Sequence, residues 1–509
     1  DLHRRRHSFP TRRSSDLGVH GLVVHARTKV QGYKPPAHWE WVARIADVVN
    51  VPVVANGEVW TAADWVRCRA VAGVPGVMIG RGAVSDPWLA RRIRGELDAI
   101  ASGIPYEGDF WDFFSGKAMP YQAVKLGVVL TLAAAAADVI HYRRMRRRAP
   151  GLRHRVFIVA AAATDALPAV IAVAGAVTRD NTTAFMTFAM WAFWAWMVTV
   201  LPRMACYFFR WTGLPRVGIA AGAGVAALFI WGATAGRTTI RVNRTEVCSE
   251  RLPAGLDGFR IAQITDTHLG TVVRPEAELR RLVDSVNSLR PDLIVFCGDL
   301  VNIRSSELDA RARQLLGGLR APYGVVSVTG NHDAGLYIKD TVAQSPAASL
   351  AEVIARQRAM GWNVLEDTTV YLRRGGDSIS LTGLSFDPAL RHMRHDPDLP
   401  PADLSGAYRG VPDSLYNITA VHIPQLWGQI ADAGYGDLTL AGHVHSMQMK
   451  LRLFGRAFSP AQLLYTRWSG RYDVGGRTLY INDGTGYVVF PMRLGAYPEI
   501  TLITLRRCE

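Results

Sequence analysis

The stretch Val325-Val-Ser-Val-Thr-Gly-Asn-His-Asp333 is an apolar, β-branched run that stops at a cluster of polar side chains. A run of this length and composition is typical of a buried strand. Asn331, His332 and Asp333 follow directly after its carboxyl end. The stretch therefore predicts a strand that delivers functional groups to one rim of a sheet.

Four more segments of the carboxyl-terminal half repeat this pattern of an apolar run followed by Asp or His. The runs and the polar residues after them are Arg260–Thr265 with Asp266 and His268, Leu293–Cys297 with Asp299, Ile418–Val421 with His422, and Leu438–Ala441 with His443 and His445. Any one of these residues alone is more often a cap, a turn residue or a satisfied core group. Five segments in this arrangement favour a metal site at one rim.

The residue types suit two divalent cations. Asp and His together favour ions of the Mn, Fe, Zn or Co class, whereas an all-oxygen set would favour Mg or Ca. Two such ions about 4 Å apart can hold a phosphate, activate a hydroxide and stabilise the leaving oxygen. Asp299 is the candidate bridging carboxylate, Asn331 adds a neutral ligand, and His332 is placed to protonate a leaving alkoxide. The predicted reaction is hydrolysis of a phosphomonoester or phosphodiester.

The order of these motifs resembles the calcineurin-like metallophosphoesterase family over about Gly258 to Arg507. The resemblance implies a two-sheet α/β sandwich with flanking helices. It also implies two ion sites that share one carboxylate: Asp266, His268, Asp299 and His445 for the first ion, and Asp299, Asn331, His422 and His443 for the second. His332 would be the general acid or a phosphate contact.

The ending Tyr497-Pro-Glu-Ile-Thr-Leu-Ile-Thr-Leu505, with an apolar region upstream, looks most like the membrane-anchored bacterial branch of that family. Two segments depart from the usual pattern of that branch. Gly442-His-Val-His-Ser-Met-Gln448 stands where Gly-His-Thr-His-Gly-Gly-Gln is usual, and Ile481-Asn-Asp-Gly-Thr-Gly486 differs from the usual Ser-Arg-Gly. Neither departure removes a metal ligand, and both are expected to reshape the substrate rim.

Residues 121–235 are almost wholly apolar and contain four stretches near the length of about 20 residues that crosses a bilayer. They are Val124–Tyr142, Val156–Thr178, Ala184–Leu201 and Val217–Ala235. A buried core helix is the alternative for each stretch alone. Arginines concentrate between the first and second stretches and between the third and fourth, so the positive-inside bias puts residues 236–509 outside the cytoplasm. We therefore expect a multi-pass protein of the bacterial inner membrane, with a lipid or cell-envelope phosphate ester as substrate.

The formal net charge of +15 does not indicate a nucleic-acid partner, because much of the excess lies in arginine clusters at the amino terminus and at residues 143–155. Asp138 and Asp165, within the apolar stretches, are expected to make interhelical hydrogen bonds. The five cysteines have no CxxC spacing and predict neither a zinc site nor a disulfide framework. Cys248 and Cys508 are the pair placed to meet outside the core.

Residues 17–100 carry a different signature, in which short strand-like runs alternate with helical patterns. Three runs (Val23–Lys29, Pro52–Glu58 and Val77–Ala83) resemble the later strands of the bacterial tRNA-dihydrouridine synthases, which bind FMN. The resemblance would place His25 and Arg27 near the flavin and Asn56, Gly57, Gly80 and Arg81 around its phosphate. The early strands and the catalytic cysteine of that family are missing. We therefore expect an inactive, partial β/α-barrel fragment that does not bind FMN.

The remaining segments complete the predicted domain order. Residues 1–16 resemble translated adapter sequence, and residues 101–120 are interpreted as a linker before the apolar region. We predict a gene fragment joined to a membrane phosphoesterase that begins near Met119. A genuine fusion with a flavin-dependent, tRNA-modifying oxidoreductase is the alternative. A third possibility is a non-catalytic metal-binding membrane protein, and the intact ligand set argues against it.

Overall fold

The computed structural model describes residues 22–25, 38–49, 51–56, 59, 62–74, 76–78, 121–146, 151–168, 170–171, 174, 181, 183–339, 344–388, 390, 399 and 402–508. The chain divides into two compact units, Asp1–Phe113 and Phe114–Glu509. The ligand candidates of the carboxyl-terminal half all belong to the second unit.

In the first unit, three parallel strands pair in the order β1-β2-β3, and a helix follows each of the first two strands. The elements are β1 (Leu22–His25), α1 (Trp39–Ala46), β2 (Val53–Asn56), α2 (Ala62–Ala72) and β3 (Gly76–Met78). The predicted alternation of strands and helices is confirmed. The predicted partial barrel is corrected to an open sheet within the described residues, because three strands are too few to close on themselves.

Long helices open the described part of the second unit: α3 (Tyr121–Arg146), α4 (Leu152–Asp165), α5 (Thr183–Trp211) and α6 (Pro215–Trp231). Two of them, α5 and α6 with its continuation to Gly236, are long and apolar enough to cross a membrane. These two match the predicted third and fourth spans. The predicted number of four is corrected to two within the described residues. The first predicted span lies in α3, whose opening side chains are outside the described residues, and the second lies in α4, which ends after 14 residues.

The acidic residues of the apolar helices are paired with one arginine. Arg203 of α5 contacts Asp138 of α3 at 3.0 Å and also forms an ion pair with Asp165 of α4. Tyr207 donates a hydrogen bond to Asp138 at 2.7 Å. These contacts agree with the predicted interhelical hydrogen bonds, because a buried charge is stabilised by an opposite charge on a neighbouring helix.

Two six-stranded sheets form the rest of the unit. The first has the order β4 (Arg241–Ser249), β17 (Glu499–Arg507), β5 (Arg260–Ile264), β6 (Leu293–Cys297), β7 (Val325–Val328) and β8 (Asn363–Val364). The second has the order β15 (Gly470–Val474), β16 (Arg477–Ile481), β12 (Leu438–Ala441), β11 (Asn417–Val421), β10 (Asp377–Leu384) and β9 (Thr368–Arg374). A separate hairpin joins β13 (Leu451–Leu453) to β14 (Arg456–Phe458).

The apolar core lies between the two sheets. Val295 and Val328 of the first sheet belong to the same buried cluster as Ile418 and Leu440 of the second. Four helices complete the unit, namely α7 (Pro275–Ser288), α8 (Ala310–Leu316), α9 (Pro346–Ala359) and α10 (Trp427–Asp432). The buried faces of α7, α8 and α9 share a second cluster with the first sheet. This arrangement is the mixed α/β organisation expected from the sequence.

Strand direction places the ligand candidates and the apolar helices at one edge of the molecule. Strands β5, β6 and β7 are parallel, as are β11 and β12, and the predicted ligands follow their carboxyl ends. Strand β17 runs antiparallel to β5 and parallel to β4, so β4 begins at this same edge. Because α6 leads directly into β4, the end of α6 at Gly236 meets the sheets on the side that carries the ligands.

Candidate metal centre

The first group of predicted ligands is brought together as expected. Nε2 of His445 lies 3.1 Å from Oδ1 of Asp266 and 3.1 Å from Nε2 of His268. All three side chains are almost completely buried. Nδ1 of His268 has no hydrogen-bond partner among the described residues. Two ring nitrogens and a carboxylate oxygen converging in a buried space form a donor set that suits a borderline divalent cation.

The second group lies beside the first. Nε2 of His422 lies 3.1 Å from Oδ2 of Asp299, 3.0 Å from Oδ1 of Asn331 and 3.2 Å from Nδ1 of His443. Oδ2 of Asp299 is also 3.8 Å from Nε2 of His268, which belongs to the first group. Asp299 therefore stands between the two groups, at the position that a bridging carboxylate requires.

The protonation of the site reflects these close pairs. Burial by itself lowers the pKa of His422, but the adjacent Asp299 carboxylate outweighs it and raises the pKa to about 9. Burial would raise the pKa of Asp299, yet His422 and His332 hold it well below its ordinary value. Burial keeps the pKa of His268 well below the ordinary value for histidine. The site thus keeps an ionised carboxylate that attracts positive charge in the space between the groups.

Two hydrogen bonds orient His332, one to the ligand candidate Asp299 and one to a neighbouring loop. Its backbone N–H donates to Oδ1 of Asp299 at 2.8 Å, and its Nδ1 lies 2.6 Å from the backbone oxygen of Asn302. A ring nitrogen that faces a carbonyl oxygen carries the proton, which leaves Nε2 as the atom directed toward the site. Nε2 of His332 lies 4.0 Å from Oδ2 of Asp299. This placement agrees with the predicted position beside the ligands.

Asp333 organises the backbone that carries Asp299 and Asn331, a function that the sequence did not reveal. Its carboxylate accepts hydrogen bonds from the N–H groups of Asp299, Leu300, Val301 and Gly330 at 2.7, 2.9, 3.1 and 2.9 Å. Burial, followed by the charge of Asp299, raises its pKa to about 7. The only local signal of this function was the position of Asp333 directly after Asn331 and His332. The carboxylate therefore joins the turns after β6 and β7.

The ligand turns adopt backbone conformations that are unusual for residues with a side chain. Asp266, His268, Asp299, His443 and His445 all have positive φ, between 47° and 72°. Ser446 and Met447, which replace the usual glycine pair, also have positive φ, at 50° and 46°. Such conformations cost about 1–3 kcal/mol each and persist where the surrounding structure enforces them. The strain is concentrated at the predicted site.

Two glycines are required because a side chain at either position would collide with a ligand carboxylate. A Cβ at Gly330 would lie 2.1 Å from Oδ1 of Asp299, and a Cβ at Gly442 would lie 2.4 Å from Oδ2 of Asp266. Either substitution would push a ligand carboxylate out of position. These two glycines of the predicted motifs are therefore part of the site.

Two tyrosines border the ligands and were not predicted. The hydroxyl of Tyr337 accepts a hydrogen bond from Nδ2 of Asn331 at 3.0 Å, and its ring packs against His332 with ring centroids 4.2 Å apart. The hydroxyl of Tyr465 lies 3.5 Å from Nε2 of His443. Tyr337 follows the Asn331-His332-Asp333 cluster by a few residues, and these contacts place it in the wall of the candidate site.

Arg493 supports the first ligand group from behind. Its guanidinium is fully buried, and Nη2 lies 3.3 Å from Nδ1 of His445. It also donates to the backbone oxygens of Asp483, Gly486 and Ala496 at 2.9, 2.7 and 2.9 Å. Burial lowers its pKa to about 10, so it is cationic at neutral pH. No periodicity in the sequence points to an arginine 48 residues beyond its partner.

The predicted flavin contacts belong to the first unit. Strand pairing places the backbone of His25 opposite that of Asn56, at the carboxyl ends of β1 and β2. The side chain of His25, together with Arg27, Gly57, Gly80 and Arg81, lies outside the described residues. The flavin-contact assignments therefore stay predictions.

Comparison with known proteins agrees with this division. Residues 259–447 match a family model described as calcineurin-like phosphoesterase. The uncharacterized metallophosphoesterase YkuE of Bacillus subtilis (strain 168) is 32% identical over 270 residues, which cover 52% of this chain and 86% of that protein. The solved structure of a phosphopantetheinyl hydrolase from Mycobacterium tuberculosis aligns with 40% of this chain and 89% of its own, at 15% identity and a TM-score of 0.25.

The amino-terminal unit has different relatives. Residues 9–105 match a family model described as dihydrouridine synthase. A tRNA-dihydrouridine(16) synthase of Ralstonia nicotianae is 72% identical over 80 residues, which are 16% of this chain and 24% of that protein. The chain thus spans about a quarter of the length of this synthase. Both resemblances predicted from the motifs are confirmed.

Proposed function

The chain belongs to the calcineurin-like phosphoesterase family of metal-dependent hydrolases, and on this premise we propose that it is a membrane-anchored phosphoesterase with a two-metal site. Three overlapping ligand groups carry this proposal. They are Asp266, His268 and His445; His268, Asp299 and His332; and Asp299, His422 and His443, with the candidate ligand atoms of each group within 4.8 Å of one another. Since consecutive groups share a residue, the two outer groups fit two ions side by side.

The ligand assignment follows this geometry. Asp266, His268 and His445 would hold the first ion, and Asn331, His422 and His443 would hold the second. Asp299 would bridge them, since it lies between the two groups. The Mn, Fe, Zn or Co class suits this mixture of imidazole and carboxylate. When bound, the pair of cations would supply a positive clamp for a phosphoryl group and lower the pKa of an attacking water.

His332 then acts on the leaving group. Hydrolysis adds the oxygen of water to phosphorus and breaks the bond to the ester oxygen, which must acquire a proton as it leaves. The carbonyl of Asn302 accepts from Nδ1–H of His332, so Nε2 faces the site. When the ring is doubly protonated, Nε2–H can pass its proton to the leaving oxygen, which leaves a neutral imidazole with its proton on Nδ1. Tyr337 covers one face of the imidazole and limits its rotation. The reaction class is phosphomonoester or phosphodiester hydrolysis.

The membrane location is proposed from the two apolar helices and the charges between them. Arg203, Arg210 and Arg216 lie near the ends at which α5 and α6 are joined, and the positive-inside bias puts these ends in the cytoplasm. The opposite ends, and the sheets that follow Gly236, would then lie outside the cytoplasm. A disulfide between Cys248 and Cys508 supports an oxidising compartment.

The position of the ligand rim favours a substrate that is itself associated with the membrane. Strand β4 starts at the rim directly after α6, so a bound phosphate ester would lie close to the bilayer surface. A lipid or a cell-envelope precursor is therefore the proposed substrate class. No nucleic-acid partner is proposed, because the excess positive charge lies in local clusters that suit membrane topology.

The test uses the full chain in proteoliposomes with Mn and an activated aryl phosphodiester and monoester. Asp299→Ala should lose bound metal and activity together, because it removes the bridging ligand. His332→Ala should keep the metal and lose about 10²- to 10⁴-fold in turnover, as expected for a lost proton donor. Asp309→Ala, which removes the cap of α8 away from the ligands, is the matched control. A wild-type chain that binds two metal ions per molecule yet hydrolyses neither ester would overturn the proposal.

The amino-terminal unit is not assigned a second activity here. Its described residues form three strands, and the match covers 24% of the related synthase. We expect the purified chain to lack flavin absorbance. A chain purified with bound flavin that reduces uridine in tRNA would instead establish the fusion as an oxidoreductase.

A further inference from the structure

The hairpin formed by β13 and β14 has an apolar outward face. Leu451 pairs with Phe458 and Leu453 pairs with Arg456, so these four side chains share one face, while Arg452 and Ala457 share the other. Ala457 packs against the core cluster of the second sheet, which identifies its face as the inner one. Three of the four outward residues are therefore large and apolar.

The apolar residues of this hairpin are strongly exposed. Phe454 at its tip is fully exposed, at 102% of the reference area, and Leu463 shortly after the hairpin is exposed at 81%. Leu451, Leu453 and Phe458 are exposed as well. A sheet face turned toward water is normally polar, and a contiguous apolar patch of this kind marks a surface that another apolar phase covers.

The base of the hairpin touches the two candidate membrane helices. Met449, two residues before β13, packs in the cluster that contains Trp196 of α5 and Phe229 of α6. The neighbouring loop contributes Phe490, whose ring lies 6.2 Å from that of Phe193 of α5. The hairpin therefore begins beside the two candidate membrane helices.

The same hairpin also borders the proposed metal site. It follows directly after His443 and His445, and the segment behind it returns to the site through Tyr465, whose hydroxyl lies 3.5 Å from Nε2 of His443. Lys450 at its base forms an ion pair with Asp483 at 2.7 Å, which fixes the first strand to the body of the domain. The hairpin is therefore held at the ligand rim.

We propose that the hairpin Leu451–Phe458, with Leu463, inserts into the outer leaflet of the membrane beside α5 and α6. This inference rests on the proposed membrane anchoring and adds a second, shallow attachment at the active-site rim. Phe454 and the leucines would contact acyl chains, and Arg456 would reach the lipid phosphates, as amphipathic cationic side chains do at an interface. The lipid is favoured over a protein partner because the hairpin begins at Met449, which packs against both candidate membrane helices.

The experiment measures membrane depth with a nitroxide attached to Phe454→Cys in the full chain, reconstituted in liposomes. Accessibility to oxygen, which partitions into lipid, is compared with accessibility to a water-soluble nickel chelate. Val474→Cys is the matched control, since Val474 is also an exposed apolar residue, at 62%, on a hairpin strand. It lies at the opposite ends of the strands, because β16 runs from Arg477 near Val474 toward the ligand rim at Ile481. The parent chain treated with the same reagent gives the background from its native cysteines.

We expect the ratio of oxygen to nickel accessibility to be about tenfold higher at Phe454 than at Val474, as for a side chain below the headgroups. Leu463→Cys should behave like Phe454→Cys and serves if the first variant does not fold. Equal ratios at Phe454 and Val474 would overturn the inference. A high oxygen-to-nickel ratio at Phe454 that appears only when protein is abundant relative to lipid would also overturn the inference. A second copy of the chain, and not lipid, would then cover the hairpin.

Two further readouts separate this inference from the proposed function. A label at Ile219→Cys on the exposed side of α6 reports whether the helix itself lies in lipid. If that label is in water, the membrane anchoring and the hairpin insertion both fail. If it is in lipid while Phe454 is in water, only the insertion fails. Hydrolysis of the soluble aryl esters in the same samples tests the phosphoesterase function independently, and Phe454→Cys should leave it unchanged.

Discussion

Ser446 donates a hydrogen bond from Oγ to Oδ1 of Asp483, at 2.5 Å. These residues stand at the two places where the sequence departs from the usual pattern of the bacterial branch, so the departures contact each other. Oδ2 of Asp483 also pairs with Nζ of Lys450 at 2.7 Å, and both side chains are buried. The replaced residues thus form a local polar network that ties the turn carrying His445 to the loop after β16.

Removing Asp483 should be strongly destabilising. Asp483→Ala leaves the buried ammonium of Lys450 without its counterion, and breaking a buried pair in this way costs about 3–5 kcal/mol. Lys450→Met in the same chain should recover much of the loss, because no buried charge is then left unpaired. The free energy of unfolding of the two single variants and the double variant, measured by denaturant titration, gives the coupling. If the losses of unfolding free energy in the two single variants simply add up in the double variant, Asp483 and Lys450 do not stabilise the fold as a pair.

A second link joins the apolar helices to the ligand rim. The amide of Asn181, two residues before α5, donates to the backbone oxygen of Tyr337, and its Oδ1 accepts from the backbone N–H of Lys339 at 3.2 Å. Asn181 is buried although it lies at the end of an apolar helix. Since Tyr337 contacts both Asn331 and His332, the segment that precedes α5 helps to hold the wall of the candidate site.

Asn181→Ala should therefore lower turnover by about tenfold, the equivalent of one or two lost hydrogen bonds. Metal content should not change, because no ligand is touched. The measurement is kcat and metal content of the full chain in proteoliposomes. Phe188→Ala, on the exposed side of the same helix, is the control and should have normal activity. Loss of metal in Asn181→Ala would assign the residue a structural function instead.

The sequence predicted the ligand rim because each ligand directly follows a strand whose apolar, β-branched run is visible locally. Contacts between distant segments carry no such signal. Arg493 reaches His445 across 48 residues, and Asn181 reaches Tyr337 across 156 residues. These supporting residues were accordingly missed.

The spans show a different limit of sequence interpretation. Apolar composition alone predicted a span over Val156–Thr178, but α4 ends at Asp165, and part of the stretch after it lies outside the described residues. The carboxylate of Asp165 pairs with Arg203 of α5, a tertiary contact that hydropathy does not register. The cysteine pair is the opposite case, since the sequence singled out Cys248 and Cys508, and they meet because β4 and β17 are neighbours in the sheet.

Glu307 should make the stability of the domain depend on pH. Its carboxylate accepts hydrogen bonds from the N–H groups of Gly270, Asn302 and Ile303, and thereby holds the loop whose carbonyl orients His332. Burial raises its pKa to about 7, against the lowering effect of these amides. Between the ordinary value of 4.5 and this value, the folded chain binds more protons than the unfolded chain. The contribution of Glu307 is therefore complete below the ordinary value and declines by about 3 kcal/mol as pH rises through 7.

Glu307→Gln tests this dependence, because its amide stays neutral at every pH. The variant is expected to be less stable than the wild type at low pH, since it lacks one acceptor oxygen. That deficit should shrink as the pH rises from about 5 to about 8. Thermal midpoints measured across this range provide the comparison. Parallel curves for the two proteins would show that Glu307 does not titrate in this window.

The disulfide between Cys248 and Cys508 should stabilise the attachment of the last strand to the first. Cys248 lies in β4 and Cys508 directly follows β17, with Cα atoms 5.6 Å apart and a sequence separation of 260 residues. Strand β4 directly follows the apolar helix α6, so the bond ties the end of β17 to the first strand after that helix. A native disulfide typically contributes about 2–4 kcal/mol, chiefly by restricting the unfolded chain. Reduction should therefore lower the thermal midpoint of the wild-type chain, and the Cys248→Ser/Cys508→Ser variant should show the lower midpoint with or without reductant.

The same disulfide also tests the side of the membrane on which the domain lies, because such bonds persist in oxidising compartments. Thiol trapping in intact cells should find both cysteines blocked. Two free thiols at these positions would place the domain on the cytoplasmic side.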